Sequence, residues 1–137
     1  MTSKTARIVL VEDNRGDVLL VRMALQEKGI KFELTCFEDG RKALNSLSRH
    51  GLKAPDLILL DLNLPNIEGI DVLREVRSMP KLAGVPVVIL TSSTSPTDIH
   101  RTALLGAARF ISKPSGLDDF LKEVARGVEE TLRASGW

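Results

Sequence analysis

Three acids in this chain stand at the ends of apolar runs. Asp61 follows Leu57-Ile58-Leu59-Leu60, and Glu12-Asp13 follow Ile8-Val9-Leu10-Val11. A buried strand that ends in a carboxylate delivers it to a loop edge, where ligands bind in open α/β sheets. If the two runs are neighbouring parallel strands, three carboxylates converge. Two unit charges about 4 Å apart interact by roughly 4 kcal/mol at an effective dielectric of about 20. Several such repulsions would burden a domain whose whole stability is typically about 5–15 kcal/mol. The cluster therefore calls for solvent, protons or a cation. Oxygen-only donors suit a hard ion, Mg²⁺ above all, which keeps several waters and needs few protein carboxylates.

Two further strand ends complete the set. Thr91-Ser92 follow the apolar run 85–90, and Lys113-Pro114 follow Arg109-Phe110-Ile111-Ser112. Taken singly, each is unremarkable: an acid after a strand is commonly a turn former or helix cap. A hydroxyl pair can cap a helix, and a lysine can be solvated. Together they form a phosphoryl site. Asp61 is a carboxylate nucleophile. Mg²⁺ held by Glu12, Asp13 and Asp61 would neutralise an incoming phosphoryl group, with a backbone carbonyl near Asn63 as a further ligand. Lys113 and the Thr91 hydroxyl would contact the phosphoryl oxygens. Phosphoryl transfer needs mainly positioning and charge stabilisation, which this set supplies.

The elements that must position these groups alternate along the chain. Strands are predicted over 7–11, 32–37, 57–60, 85–90 and 109–112. Helices are predicted over 17–28 (closed by Gly29), 41–49, 69–78, from Pro96 to near Gly106, and from Leu117 onward. Ser95 reads as the N-cap of the fourth helix, with Pro96 in its first position. Leu117, Phe120, Leu121, Val124, Val128 and Leu132 form one stripe on the fifth. Asp17 reads as the cap of the first helix rather than a metal ligand. Five β-α units with short connections imply a doubly wound parallel sheet with helices on both faces.

A length of 137 residues suggests one domain, 1–137, with a core over about 6–134 and no output domain. The near-balanced charge of +1 carries no electrostatic footprint for nucleic acid or anionic membrane. No apolar run is long enough to span a bilayer, and no signal segment is visible. The sole cysteine, Cys36, reads as a core thiol. A cytoplasmic protein is expected.

On these motifs the chain strongly resembles the receiver domain of two-component response regulators, the family of the chemotaxis regulator. The motifs are Val9-Leu10-Val11-Glu12-Asp13-Asn14 and Leu59-Leu60-Asp61-Leu62-Asn63-Leu64-Pro65 with Gly69, then Ile89-Leu90-Thr91-Ser92 and Phe110-Ile111-Ser112-Lys113-Pro114. The resemblance covers essentially the whole chain. It implies a flavodoxin-like sheet of order 2-1-3-4-5 and phosphorylation of Asp61 by a sensor histidine kinase. Glu12 and Asp13 become the acidic Mg²⁺ pair, Thr91 the switch hydroxyl and Lys113 its ion partner. Phe110 becomes the switch aromatic, which turns inward on activation and lacks the hydroxyl of a tyrosine. A cis Lys113-Pro114 bond is also implied. Within the family, 13–17 and 90–94 look like the small stand-alone regulators paired with phytochrome-type kinases.

The resemblance thus implies a stand-alone phosphorelay switch rather than a turnover enzyme. Its face of fourth helix, fifth strand and fifth helix would meet a downstream target or a second copy of the chain. His100, Arg101, Arg109 and Lys122 are candidate residues there. Neither His50 nor His100 reads as a phosphodonor. Three rivals are weaker. A haloacid-dehalogenase-type phosphatase usually needs an acid two residues after its nucleophile, where this chain has Asn63. A degenerate receiver, binding partners without phosphorylation, would leave the filled chemical positions unexplained. A DNA-binding regulator would need a further domain.

Overall fold

The computed structural model describes residues 4–137; the first three residues of the expected domain lie outside the described residues. Five strands and five helices alternate: β1 (Ala6–Val11), α1 (Arg15–Lys28), β2 (Phe32–Phe37), α2 (Gly40–Leu47), β3 (Leu57–Leu60), α3 (Gly69–Ser78), β4 (Val87–Thr91), α4 (Pro96–Leu104), β5 (Arg109–Ser112) and α5 (Leu117–Ala134). The strands form one parallel sheet in the order β2-β1-β3-β4-β5, as expected. The order reverses direction between β1 and β3, the kind of switch point where open α/β sheets open a crevice.

β3 is apolar throughout, and β1 and β4 are nearly so, because helices cover both faces of the central strands. Ile8, Leu10, Leu57, Leu59, Val88 and Leu90 turn toward α1 and α5, meeting Val21, Leu25, Phe120, Val124 and Val128. The alternate residues Val9, Val11, Ile58, Leu60, Val87 and Ile89 turn the other way, toward Leu44, Leu47, Val72, Leu73 and Val76. Register does the rest. Val11 pairs with Leu60 and Thr91 with Ser112. Glu12 and Asp61 therefore leave the sheet side by side, and Lys113 leaves the same edge from β5, on the far side of β4.

Several boundaries differ from expectation for local reasons. Asn14, not Asp17, caps α1: its side chain accepts the Asp17 N–H, and the helix starts at Arg15. Asp17 lies inside the first turn. β4 begins at Val87 rather than Val85, because a 3-10 turn over Pro80–Leu82 ends on Val85 N–H to Leu82 and Pro86 has no N–H to give. Asp39 caps α2 through Lys42 N–H, so that helix starts at Gly40 and stops at Leu47. α4 starts as expected, with Ser95 accepting from Asp98 N–H.

Two further expectations are corrected. Cys36 is exposed rather than buried. It lies on β2, an edge strand with β1 as its one neighbour, where no residue is fully buried. The Lys113-Pro114 bond is trans, since the described residues contain no cis peptide; trans is the default state for X-Pro by about 0.5–1 kcal/mol. No helix of the described residues is long and apolar enough to cross a membrane.

Candidate phosphoryl-acceptor site

Glu12, Asp13 and Asp61 meet at the carboxyl end of β1 and β3, and one oxygen from each lies within 4.8 Å of the others. Glu12 and Asp61 are almost fully buried, while Asp13 is exposed. The three donors are hard carboxylate oxygens, one of them open to solvent, which fits a partly hydrated Mg²⁺-type ion.

The loop after β3 is built around its carboxylate. Asn63 N–H donates to Asp61 Oδ1 at 3.0 Å. Asn66 takes a left-handed conformation at φ +70°, which asparagine tolerates, and turns the chain back. Gly69 N–H then reaches Leu62 O at 3.0 Å. A Cβ at Gly69 would collide with Asp61 O and sit 2.5 Å from Leu62 Cα, both backbone atoms. The Gly69 of the sequence motif is thus required by the close approach of α3 to the Asp61 backbone.

Lys113 completes the site from β5. Its Nζ lies 2.7 Å from Glu12 Oε1, 2.8 Å from Asp17 Oδ2 and 3.0 Å from Asp61 Oδ2. The trans peptide does not prevent this reach. Lys113 N–H donates to Thr91 O at 2.7 Å, which sets where the side chain departs. Burial alone would lower the lysine pKa, but hydrogen bonds to Asp17, Glu12 and Asp61 outweigh it and hold the ammonium charged well above its ordinary range. Burial, with Asp61 beside it, pushes Glu12 up to about 7 against the opposing pull of Lys113. One ammonium shared among three acids does not discharge the pocket.

Thr91 is fully buried at the end of β4. Its hydroxyl accepts from Asn63 Nδ2 at 3.4 Å and Ser93 N–H at 3.5 Å, and Asn63 Nδ2 also reaches Ser92 Oγ at 3.4 Å. Phe110 is half-buried and packs on the α2–α3 side of the sheet. The structure thus brings together Glu12, Asp13, Asp61, Asn63, Thr91 and Lys113.

Two connections escaped sequence reasoning. Asp17 joins Lys113 across 96 positions of chain, which no local pattern reveals. Ser93 Oγ donates to Asp98 Oδ2 at 2.6 Å, accepts from Ser95 N–H at 3.2 Å, and its carbonyl takes the Ser112 hydroxyl at 3.0 Å. The run of hydroxyls after β4 was the available signal. On the expected interaction face, His100 and Arg101 are exposed on α4, but Arg109 pairs with Glu130 at 2.8 Å. Lys122 borders the groove between α1 and α5 instead.

Comparison with known proteins agrees with this fold. The model of the response regulator receiver domain matches residues 8–125. The probable methanogenesis regulatory protein FilR2 of Methanothrix harundinacea is 34% identical over 133 residues, covering 95% of this chain and 84% of that protein. The response regulator Rcp1 of Synechocystis sp. is 38% identical over 126 residues, covering 89% of this chain and 85% of the relative; the solved structure of its Mn²⁺-bound form superposes at TM-score 0.83, with 37% identity and 91% and 92% of the two chains covered. The phosphorylated cyanobacterial phytochrome response regulator RcpA superposes at TM-score 0.87, with 35% identity over 98% of each chain. With a matching family model over most of its length, and three acids, a buried hydroxyl and a lysine gathered at one sheet edge, this chain belongs to the response regulator receiver domains of two-component signalling.

Proposed function

We propose that the chain accepts a phosphoryl group on Asp61 from a sensor histidine kinase and works as a phosphorylation-driven interaction switch. One observation carries this reading: the buried Asp61 carboxylate has Lys113 Nζ 3.0 Å from one oxygen and lies in the three-acid cluster. In the transfer, a bond forms between an Asp61 oxygen and phosphorus, and the bond from phosphorus to the donor imidazole nitrogen breaks. The product is an acyl phosphate. Lys113 stays protonated and takes up phosphoryl charge. Mg²⁺, when held by Glu12, Asp13, Asp61 and the Asn63 carbonyl, would supply charge neutralisation. Mn²⁺ in the Rcp1 structure and the phosphorylated state of RcpA support the reading.

An added phosphoryl carries about −1.5 to −2 charge near pH 7. Thr91 would turn toward it and Phe110 would follow, altering the α4–β5–α5 face for a target protein or a second copy. We place this switch in the cytoplasm, downstream of a kinase of the phytochrome type, and assign it no turnover of an external substrate.

Intact mass after incubation with acetyl phosphate, with and without Mg²⁺, tests the proposal. One Mg²⁺-dependent phosphoryl adduct, absent in Asp61→Asn, is expected. No adduct, under conditions where a competent receiver reacts, would overturn it in favour of phosphorylation-independent binding.

A further inference from the structure

Asp17 takes no part in the chemistry described so far, yet it holds one end of the Lys113 side chain. Four contacts close a ring through it. Glu12 Oε2 accepts Asn14 N–H at 3.1 Å, and Asn14 Oδ1 accepts Asp17 N–H at 3.0 Å. Asp17 Oδ2 accepts from Lys113 Nζ at 2.8 Å, and Lys113 Nζ returns to Glu12 Oε1 at 2.7 Å. The ring ties the first turn of α1 to the end of β1 and to β5. A Cβ at Gly16 would already sit 3.1 Å from Asn14 Oδ1, so little slack exists at the cap.

An ammonium has three N–H donors. Here it meets three carboxylates, and two of them, Glu12 and Asp17, belong to the ring. The third donor is left directed at Asp61 Oδ2, 3.0 Å away. Lysine otherwise carries its charge on a flexible four-carbon stem with freely rotating donors. Without Asp17, Glu12 and Asp61 would hold the head by two contacts and leave one donor without a carboxylate.

We propose that Asp17 is a positioning residue for phosphoryl transfer, anchoring Lys113 from the α1 side so that its remaining donor stays on the Asp61 carboxylate, beside the incoming phosphoryl group. This rests on the phosphoryl-acceptor reading of Asp61. Asp17 acts through Lys113; no proton or bond changes at Asp17 itself.

The test uses the full chain as wild type, Asp17→Asn and Asp17→Glu. Asparagine keeps the shape and the backbone cap but not the charge; glutamate keeps the charge. Adduct formation from acetyl phosphate at saturating Mg²⁺ gives the rate, and the ¹⁵N resonance of the Lys113 ammonium reports its anchoring. Asp17→Asn should slow the reaction about tenfold, since small misplacements of a catalytic group cost on that order or more. The ammonium signal should lose its protection from exchange, and Asp17→Glu should recover much of both. An unchanged rate in Asp17→Asn, with wild type reacting, overturns the proposal. So does a slowed rate with an unchanged ammonium signal, or a glutamate variant no better than asparagine; the effect would then come from the helix start. A wild type that forms no adduct defeats the acceptor reading itself, and this role with it.

Discussion

The two oxygens of Asp61 face unlike neighbours. Oδ2 faces Lys113 Nζ at 3.0 Å, an ammonium that also holds Glu12 and Asp17 at 2.7 and 2.8 Å. Oδ1 holds one good bond, from Asn63 N–H at 3.0 Å, and beyond it lie hydroxyl contacts of 3.4 to 3.5 Å around Thr91 and Ser92. The usual N–H···O distance is about 2.9–3.0 Å, so the contacts of the Thr91 and Ser92 hydroxyls are weak. The contrast extends outward. Behind the ionic side, α1 and α5 bury Val21, Leu25, Val124 and Val128. Behind the hydroxyl side, α4 buries Thr102, and Leu104 is 73% exposed. A rearrangement around Thr91 and α4 breaks little; one around Lys113 breaks a charged ring. On the proposed function, the ionic side is the fixed support and the hydroxyl side the part that responds.

The strongest way to break this comparison is to remove the lysine. Lys113→Met leaves Glu12 and Asp61 buried beside each other without their shared cation. Losing one partner of a buried pair costs on the order of 3–5 kcal/mol. The low end is expected, because Glu12 can escape by taking a proton. Urea unfolding in the presence of a chelator measures it. A loss no larger than that of a surface pair, about 0–1 kcal/mol, would mean that the ionic side is not the rigid one.

A pH series sharpens the same point. Burial raises Glu12 to about 7 in the folded protein, whereas the unfolded chain releases that proton near pH 4.3. Between these values the folded state holds the extra proton. The contribution of Glu12 to stability is therefore complete at acid pH and is lost as pH rises through about 7, with a slope of at most about 1.4 kcal/mol per pH unit. Glu12→Gln should flatten the slope in metal-free unfolding experiments. Identical slopes in the two proteins would show that Lys113 fully discharges the pocket.

How legible the molecule was depends on how local the cause is. β2, β3, β5 and α3 were readable to the residue, because apolar runs and turn residues fix them within the chain. So was the convergence of Glu12, Asp61, Thr91 and Lys113, since parallel strands all end at one edge. What failed needed partners distant in sequence. Asp17 read as a cap because its tie to Lys113 depends on the lysine reaching from the end of β5 across the sheet edge to the first turn of α1. Cys36 read as core because its apolar neighbours do not reveal that β2 is an edge strand. Pro86 was visible, yet its effect on the start of β4 came through the 3-10 turn before it.

The smallest effect is expected on the hydroxyl side. Thr91→Val keeps the shape and removes an oxygen that accepts only the two long bonds. Asn63 Nδ2 retains Ser92 Oγ as a partner and a largely exposed side chain. Replacing such a weakly bonded hydroxyl should change unfolding stability by less than about 1 kcal/mol. Its effect on signalling should be larger than its effect on stability. Hydrogen exchange over residues 91–104, measured with and without acetyl phosphate and Mg²⁺, should change in the wild type and stay nearly constant in Thr91→Val. If the variant is as destabilised as Lys113→Met, the hydroxyl side is as firmly held as the ionic side, and a response seated there would have to break comparable interactions. If it is nearly neutral yet still shows the full exchange response, the phosphoryl charge reaches α4 by another route, and the Ser93–Asp98 contact at 2.6 Å becomes the next group to cut.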